Sequence, residues 1–252
     1  MEPVTSSLAL VVLALLFVGV STVYASVGLG GGSSYTAILA IVGVSASHIA
    51  PTALALNLVV AGIAFYAFLA SGHVRWSLLV PVVVWSIPAS FLGGWISFQN
   101  ETVLVVLATA LAVAAVLLVL DQSEKAIALS PSTGWPMLGA IGAGLGFLAG
   151  MTGIGGGIFL VPVLMLTGLA DEKQTAPIAA AFVWLNSAAG LLAHAGQGQV
   201  DWTVLLPLTG AVAAGGWIGS TVGASVVSKV WVRRFAAMVL SVAALQIFIQ
   251  LL

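Results

Sequence analysis

Residues 28–32 read Gly-Leu-Gly-Gly-Gly, and residues 153–157 read Gly-Ile-Gly-Gly-Gly. Gly28, Gly30, Gly31 and Gly32 stand 125 residues before Gly153, Gly155, Gly156 and Gly157. The flanks repeat as well. At an offset of 126, Ala50-Pro51 matches Ala176-Pro177, Gly72 matches Gly198, and Val74 matches Val200. The same offset pairs Trp76 with Trp202, Pro81 with Pro207, and Gly93 with Gly219. Glycine and alanine coincide cheaply in such a chain, but a four-glycine spacing inside a Pro/Trp/Pro frame indicates duplication. Residues 1–120 are expected to form one repeat and residues 136–252 the other. Between them lies the polar, proline-containing linker 121–135 (DQSEKAIALSPSTGW).

Composition names the solvent. Hydrophobic residues make up 61% of the 252, against roughly 45–50% in a soluble domain. Only six basic and seven acidic residues are present, and mean hydropathy is +1.22. These figures exclude an ordinary water-soluble enzyme and a disordered chain. A net charge of −1 and a pI near 6.2 leave no basic field for nucleic acid. With no cysteine, disulfides, thiol nucleophiles, iron–sulfur clusters and cysteine-type zinc sites are excluded. The expected class is an all-α polytopic protein embedded in the lipid bilayer. Met1-Glu2-Pro3 carries no positive charge, so a signal peptide is not expected.

A spanning helix needs roughly twenty mostly apolar residues. Three such runs occur in the first half, at 47–71, 76–98 and 102–120, and three in the second, at 175–195, 202–227 and 235–252. Each half opens with two apolar arms flanking its glycine run. The arms are 8–24 and 33–44 in the first half, and 137–149 and 158–168 in the second. Three of these arms are too short to cross comfortably and suit a re-entrant hairpin. Each repeat is therefore expected to be a glycine-split hairpin followed by three transmembrane helices.

Charge orients the repeats. With hairpins that enter and leave on one face, each half makes an odd number of crossings and the repeats are inverted. Arg75, Lys125, Lys173, Lys229, Arg233 and Arg234 then share one side, and none falls on the other. If each pair made a single broken span, Arg75 and Lys125 would oppose the remaining four. Positive charge marks the cytoplasmic face, so inversion is expected. Both termini would lie outside, with Glu2, Glu101 and Asp201 on the outer face and the linker in the cytoplasm. Trp76, Trp95, Trp135, Trp202 and Trp231 fall near the expected helix ends, as an aromatic belt does.

Backbone without helical hydrogen bonds is tolerated at membrane depth only inside protein or against an aqueous cavity. Glycines let successive N–H groups converge into an anion-binding nest, and a following helix start adds its positive end. Gly30, Gly31, Gly32, Gly155, Gly156 and Gly157 are thus candidate backbone donors to a small anion, with the hydroxyls of Ser33 and Ser34. The plainer reading is that these glycines only permit close packing. Neither run is a nucleotide loop, since no Lys-Ser/Thr follows and no strand precedes. The middle of every expected span lacks Asp, Glu, Lys and Arg, which disfavours a cation substrate. Asn57 and Asn186 sit near mid-depth in equivalent helices, three residues out of register, either as amides for substrate or as interhelical ties. His48, His73 and His194 lie near helix ends without metal spacing. Trp85, Trp184 and Trp217 read as packing residues. Tyr35, Thr36, Ser187 and Ser220-Thr221 are further polar candidates. No metal site, cofactor or catalytic residue is expected.

Two halves each beginning with G-x-G-G-G, then a proline-led helix, then a G-x-V-x-W step (Gly72–Trp76 and Gly198–Trp202), resemble the sulfite exporter TauE/SafE family over essentially the whole chain. Gly198-Gln199-Val200-Asp201 is similar to the family's recurring Gly-x-Val/Ile-Asp, while Arg75 replaces the aspartate in the first half. The resemblance implies a bacterial inner-membrane transporter of small sulfur-containing anions (sulfite, thiosulfate or organosulfonates), usually outward. The combined reading is an exporter whose anion sits near the midplane between the two glycine loops. The alternatives are a passive anion channel and an intramembrane enzyme. The enzyme has only Ser187 and His194, seven residues apart on one helix, to build on.

Overall fold

The structure is a computed structural model that describes residues 7–96, 101–120, 131–195, 202–225 and 229–250. Among the described residues every regular element is an α-helix. The first half holds α1 (Ser7–Ala25), α2 (Gly32–Ile41), α3 (Ala46–Ala70), α4 (Trp76–Ile96) and α5 (Glu101–Leu120). The second holds α6 (Pro131–Thr152), α7 (Gly157–Leu166), α8 (Glu172–Ala195), α9 (Trp202–Ser225) and α10 (Lys229–Gln250). Five of them, α3, α4, α6, α8 and α9, are long and apolar enough to cross a membrane. The six long runs read from hydropathy are α3–α5 and α8–α10, displaced by a few residues at their ends.

The arms depart from expectation in one respect. The run at 137–149 is not a short arm but the centre of α6, which has 22 residues and is about 33 Å long at 1.5 Å per residue. Pro131 opens that helix, where a missing N–H costs nothing. The last five residues of the expected linker are therefore helical. Residues 121–130 lie outside the described residues, as do Glu2 and the Gly198–Asp201 step. The genuinely short arms are α2 and α7, of 10 residues each, or about 15 Å.

Exchanging the halves preserves the principal contacts. α4 packs on α6 as α9 does on α1, α3 on α9 as α8 on α4, and α2 on α3 as α7 on α8, while α3 meets α8 and α5 meets α10. On α6, Gly142, Gly146 and Gly150 lie against the backbone of Val82, Ser86 and Ser90 of α4. On α9, Gly215, Gly219 and Gly223 lie against Val18, Thr22 and Ser26. Small residues every fourth position bring two helix backbones together where lipid supplies no hydrophobic drive. Residue numbers rise together across both contacts, so each pair is parallel. α3 and α8 run the other way: Leu54 lies by Gly190 and Gly62 by Trp184. Ahead of α4, Arg75 donates Nη1 to the Leu169 carbonyl at 2.8 Å, joining the α3–α4 turn to the α7–α8 turn.

The outward face is apolar. Tyr66, Leu120 and Trp217 are 78%, 72% and 67% exposed, amid many exposed leucines and valines. Such a surface suits hydrocarbon rather than water. Trp85 and Trp217 therefore face outward instead of filling the core, while Trp184 stacks on Phe65 with ring centroids 6.0 Å apart. Deep inside, α3 and α8 bury Leu54, Leu56, Ile178 and Phe182.

Candidate functional site: two glycine loops around one amide

Residues 28–32 and 153–157 are buried along their whole length. Each loop turns in the left-handed region and feeds a helix start. Gly31 has φ 97° before α2, and Gly156 has φ 77° before α7. Gly28 (78°), Gly153 (73°) and Gly155 (82°) share that region, which side chains other than glycine's rarely enter. No side chain caps either helix start. None of the hydrogen bonds among the described residues engages the N–H groups of Gly30, Gly31, Gly32, Ser33 or Ser34. The same holds for Gly155, Gly156, Gly157 and Ile158. Buried N–H groups without partners are rare and costly in a native fold. Here two clusters of them meet in the middle of the protein, each at the positive end of a helix.

Asn57 stands between the loops. Its Nδ2 donates to the Ile154 carbonyl at 3.2 Å, so an amide of the first half holds the loop of the second. Its Oδ1 is buried without a partner. A methyl group on Gly30 or Gly32 would run into this amide, and one on Gly155 would come within 2.8 Å of its Nδ2. Val183 also packs against Gly30, Gly155 and Gly157. At the 126-residue offset, Val183 is the counterpart of Asn57. A cavity of about 10 Å³, room for about one water, lies between the loops. Its walls include Tyr24 and Ser33 from the first half, and Ile154, Ile158 and Val183 from the second.

The expected site residues thus divide. Gly30, Gly31, Gly32, Ser33 and Gly157 line the cavity, and Gly155 and Asn57 border it. Gly156 is turned toward Ala149 and Phe182. Ser33 and Ser34 are each hydrogen-bonded to the Tyr24 hydroxyl at 2.9 Å, and Gln246 of α10 donates to Ser34 at 3.1 Å. Asn186 faces another way: it donates to Ser86 at 2.9 Å and to the Phe182 carbonyl at 2.8 Å, while Ser90 donates to its own carbonyl at 2.9 Å. Sequence reading does not single out Tyr24 and Val183, which line the cavity, or Gln246, which holds Ser34. A hydroxyl reaching across a broken hairpin leaves no periodic trace, and Val183 was legible only by following the repeat register through Asn57. No group of three or more potential metal ligands occurs among the described residues. Ser187 Oγ has no hydrogen-bond partner, so it makes no nucleophile–base contact with His194.

A neutral, buried nest of donors with no charged side chain in it suits a small anion. The sulfite exporter TauE/SafE family model matches residues 12–247. The chain belongs to this family. It is a membrane transporter. It is 35% identical over 243 residues to "Probable membrane transporter protein y4hK" of Sinorhizobium fredii, covering 93% of this chain and 96% of that one. Over 90 residues it is 36% identical to "Probable membrane transporter protein YunE" of Bacillus subtilis, covering 36% of this chain and 32% of the relative. No solved structure matches the chain. The matched range contains both buried glycine loops and Asn57.

Proposed function

We propose that the protein exports a small sulfur-containing oxyanion, such as sulfite, thiosulfate or an organosulfonate, across the bacterial inner membrane. The observation that carries this reading is the pair of buried glycine loops, with unpaired N–H groups, that meet around one small cavity. Gly30, Gly31, Gly32, Gly155 and Gly157 supply backbone donors, Ser33 and Ser34 a hydroxyl network with Tyr24, and Asn57 an amide. Gly156 sets the turn from which α7 starts. Asn186 ties α8 to α4 and stands outside the site.

The repeats, residues 1–120 and 136–252, are inverted in this account. Two facts support that: the equivalent helices α3 and α8 run antiparallel, and Arg75 bonds Leu169, placing the α3–α4 and α7–α8 turns on one face. That face carries Arg75, Lys173, Arg233 and Arg234 and is cytoplasmic. The termini and Glu101 lie outside. A cavity sized for about one water is closed to an oxyanion, which favours a carrier whose halves rock over a channel that stands open. Proteoliposomes loaded with radiolabelled sulfite test the reading. Release of unaltered sulfite is expected, and retention of sulfite, thiosulfate and methanesulfonate alike contradicts it.

A further inference from the structure

Ser187 lies on α8 one turn beyond Val183 and is completely buried. Its Oγ is 3.1 Å from the point a Gly155 Cβ would occupy, on the same flank as the Asn57 amide. This hydroxyl has no hydrogen-bond partner. That is unusual for a helical serine, because the carbonyl one turn back is always in reach. Ser21, Thr22, Ser86 and Thr175 all make such local bonds here. Ser187 leaves the local carbonyl and points its oxygen at the second glycine loop. At the repeat offset its counterpart is Ala61, so helix packing at this position does not require a hydroxyl.

We propose that Ser187 is a substrate-binding residue, donating its hydroxyl to an oxyanion oxygen held at Gly155. The assignment rests on the anion reading of the glycine loops and adds a donor from the second half to a site whose other side-chain donors come from the first. An unpaired buried hydroxyl is costly in the empty protein and is repaid only when a ligand accepts from it.

The test is thermal unfolding of the full-length protein in detergent, with titrations of sulfite, sulfate, thiosulfate and methanesulfonate. Wild type, Ser187→Ala and Asn57→Leu are compared. Ser187→Ala is expected to unfold at or above the wild-type temperature without anion, because no bond is lost. Its anion affinity is expected to fall by roughly ten-fold. A merely structural serine would behave oppositely, with lowered stability and unchanged affinity, and that result overturns the assignment. Wild-type affinity in Ser187→Ala beside weakened affinity in Asn57→Leu also overturns it, while leaving the loop site standing. Stabilisation of the wild type by none of the four anions overturns the site reading beneath it.

Discussion

After Gly32 the chain continues Ser33-Ser34-Tyr35, and after Gly157 it continues Ile158-Phe159-Leu160. The backbones of the two loops are nevertheless closely alike. Both turn through left-handed glycines, both launch a ten-residue helix, and both leave N–H groups unpaired. They differ at one backbone position, where Gly155 is left-handed and its counterpart Gly30 is not, and in their surroundings. Tyr24, Ser33 and Asn57 make the first half's side of the cavity polar, while Ile154, Ile158 and Val183 make the second half's side apolar. The shared backbone is what the fold requires, and the polar side chains are what the proposed recognition requires. Glycine is needed twice, because each loop must approach the other and turn. A polar amide is needed once, because one Asn57 reaches both loops.

The largest effects are expected where a side chain would displace that amide. Gly155→Ala adds a methyl 2.8 Å from Asn57 Nδ2 at a φ of 82°, and should abolish anion binding in a titration of the purified protein. Left-handed strain adds about 1–2 kcal/mol of destabilisation. Gly30→Ala meets the same amide without a left-handed φ, so it should lose affinity with less loss of stability. Combining it with Asn57→Ala should restore stability but not binding. Equal stability losses in the two single variants would break the distinction between the loops.

An intermediate effect separates the two asparagines. Asn57→Leu should weaken anion binding by about 1–2 kcal/mol, roughly ten-fold. Asn186→Leu should leave affinity unchanged and lower thermal stability, because Ser86 loses its donor. The reverse pattern would move the site to the α4–α8 contact.

These contrasts show what could be read in advance. The six long helices and the glycine loops were legible because glycine spacing and apolar run length are local properties of sequence. The extent of α6 was not, since Pro131-Ser132-Thr133-Gly134 has a linker's composition but opens a helix. The role of Asn186 was legible in principle. Its three-residue departure from the repeat register turns its side chain about 60° around the helix from the position equivalent to Asn57, at 100° per residue. It therefore meets α4. Tyr24 was illegible, because only the fold of the hairpin brings it to Ser33 and Ser34.

Orientation gives a qualitative check with no affinity change at all. The chain has no cysteine, so single cysteines report without background. Positions 75 and 173 should label from the cytoplasm, and position 101 from outside. Labelling of 75 and 173 from opposite faces would sink the inverted arrangement and the symmetry argument with it.

If the glycine-loop site carries the anion as proposed, its neutral donors are expected to move it with the charge uncompensated. An interior negative by 100 mV then favours exit of a monovalent anion by about 2.3 kcal/mol, which sustains an outward gradient of roughly fifty-fold. The direct measurement is efflux of radiolabelled sulfite from loaded proteoliposomes under an imposed potassium diffusion potential. An inside-negative potential should accelerate release, and collapsing it should slow release. Efflux indifferent to voltage but strictly dependent on a proton or sodium gradient would contradict the account.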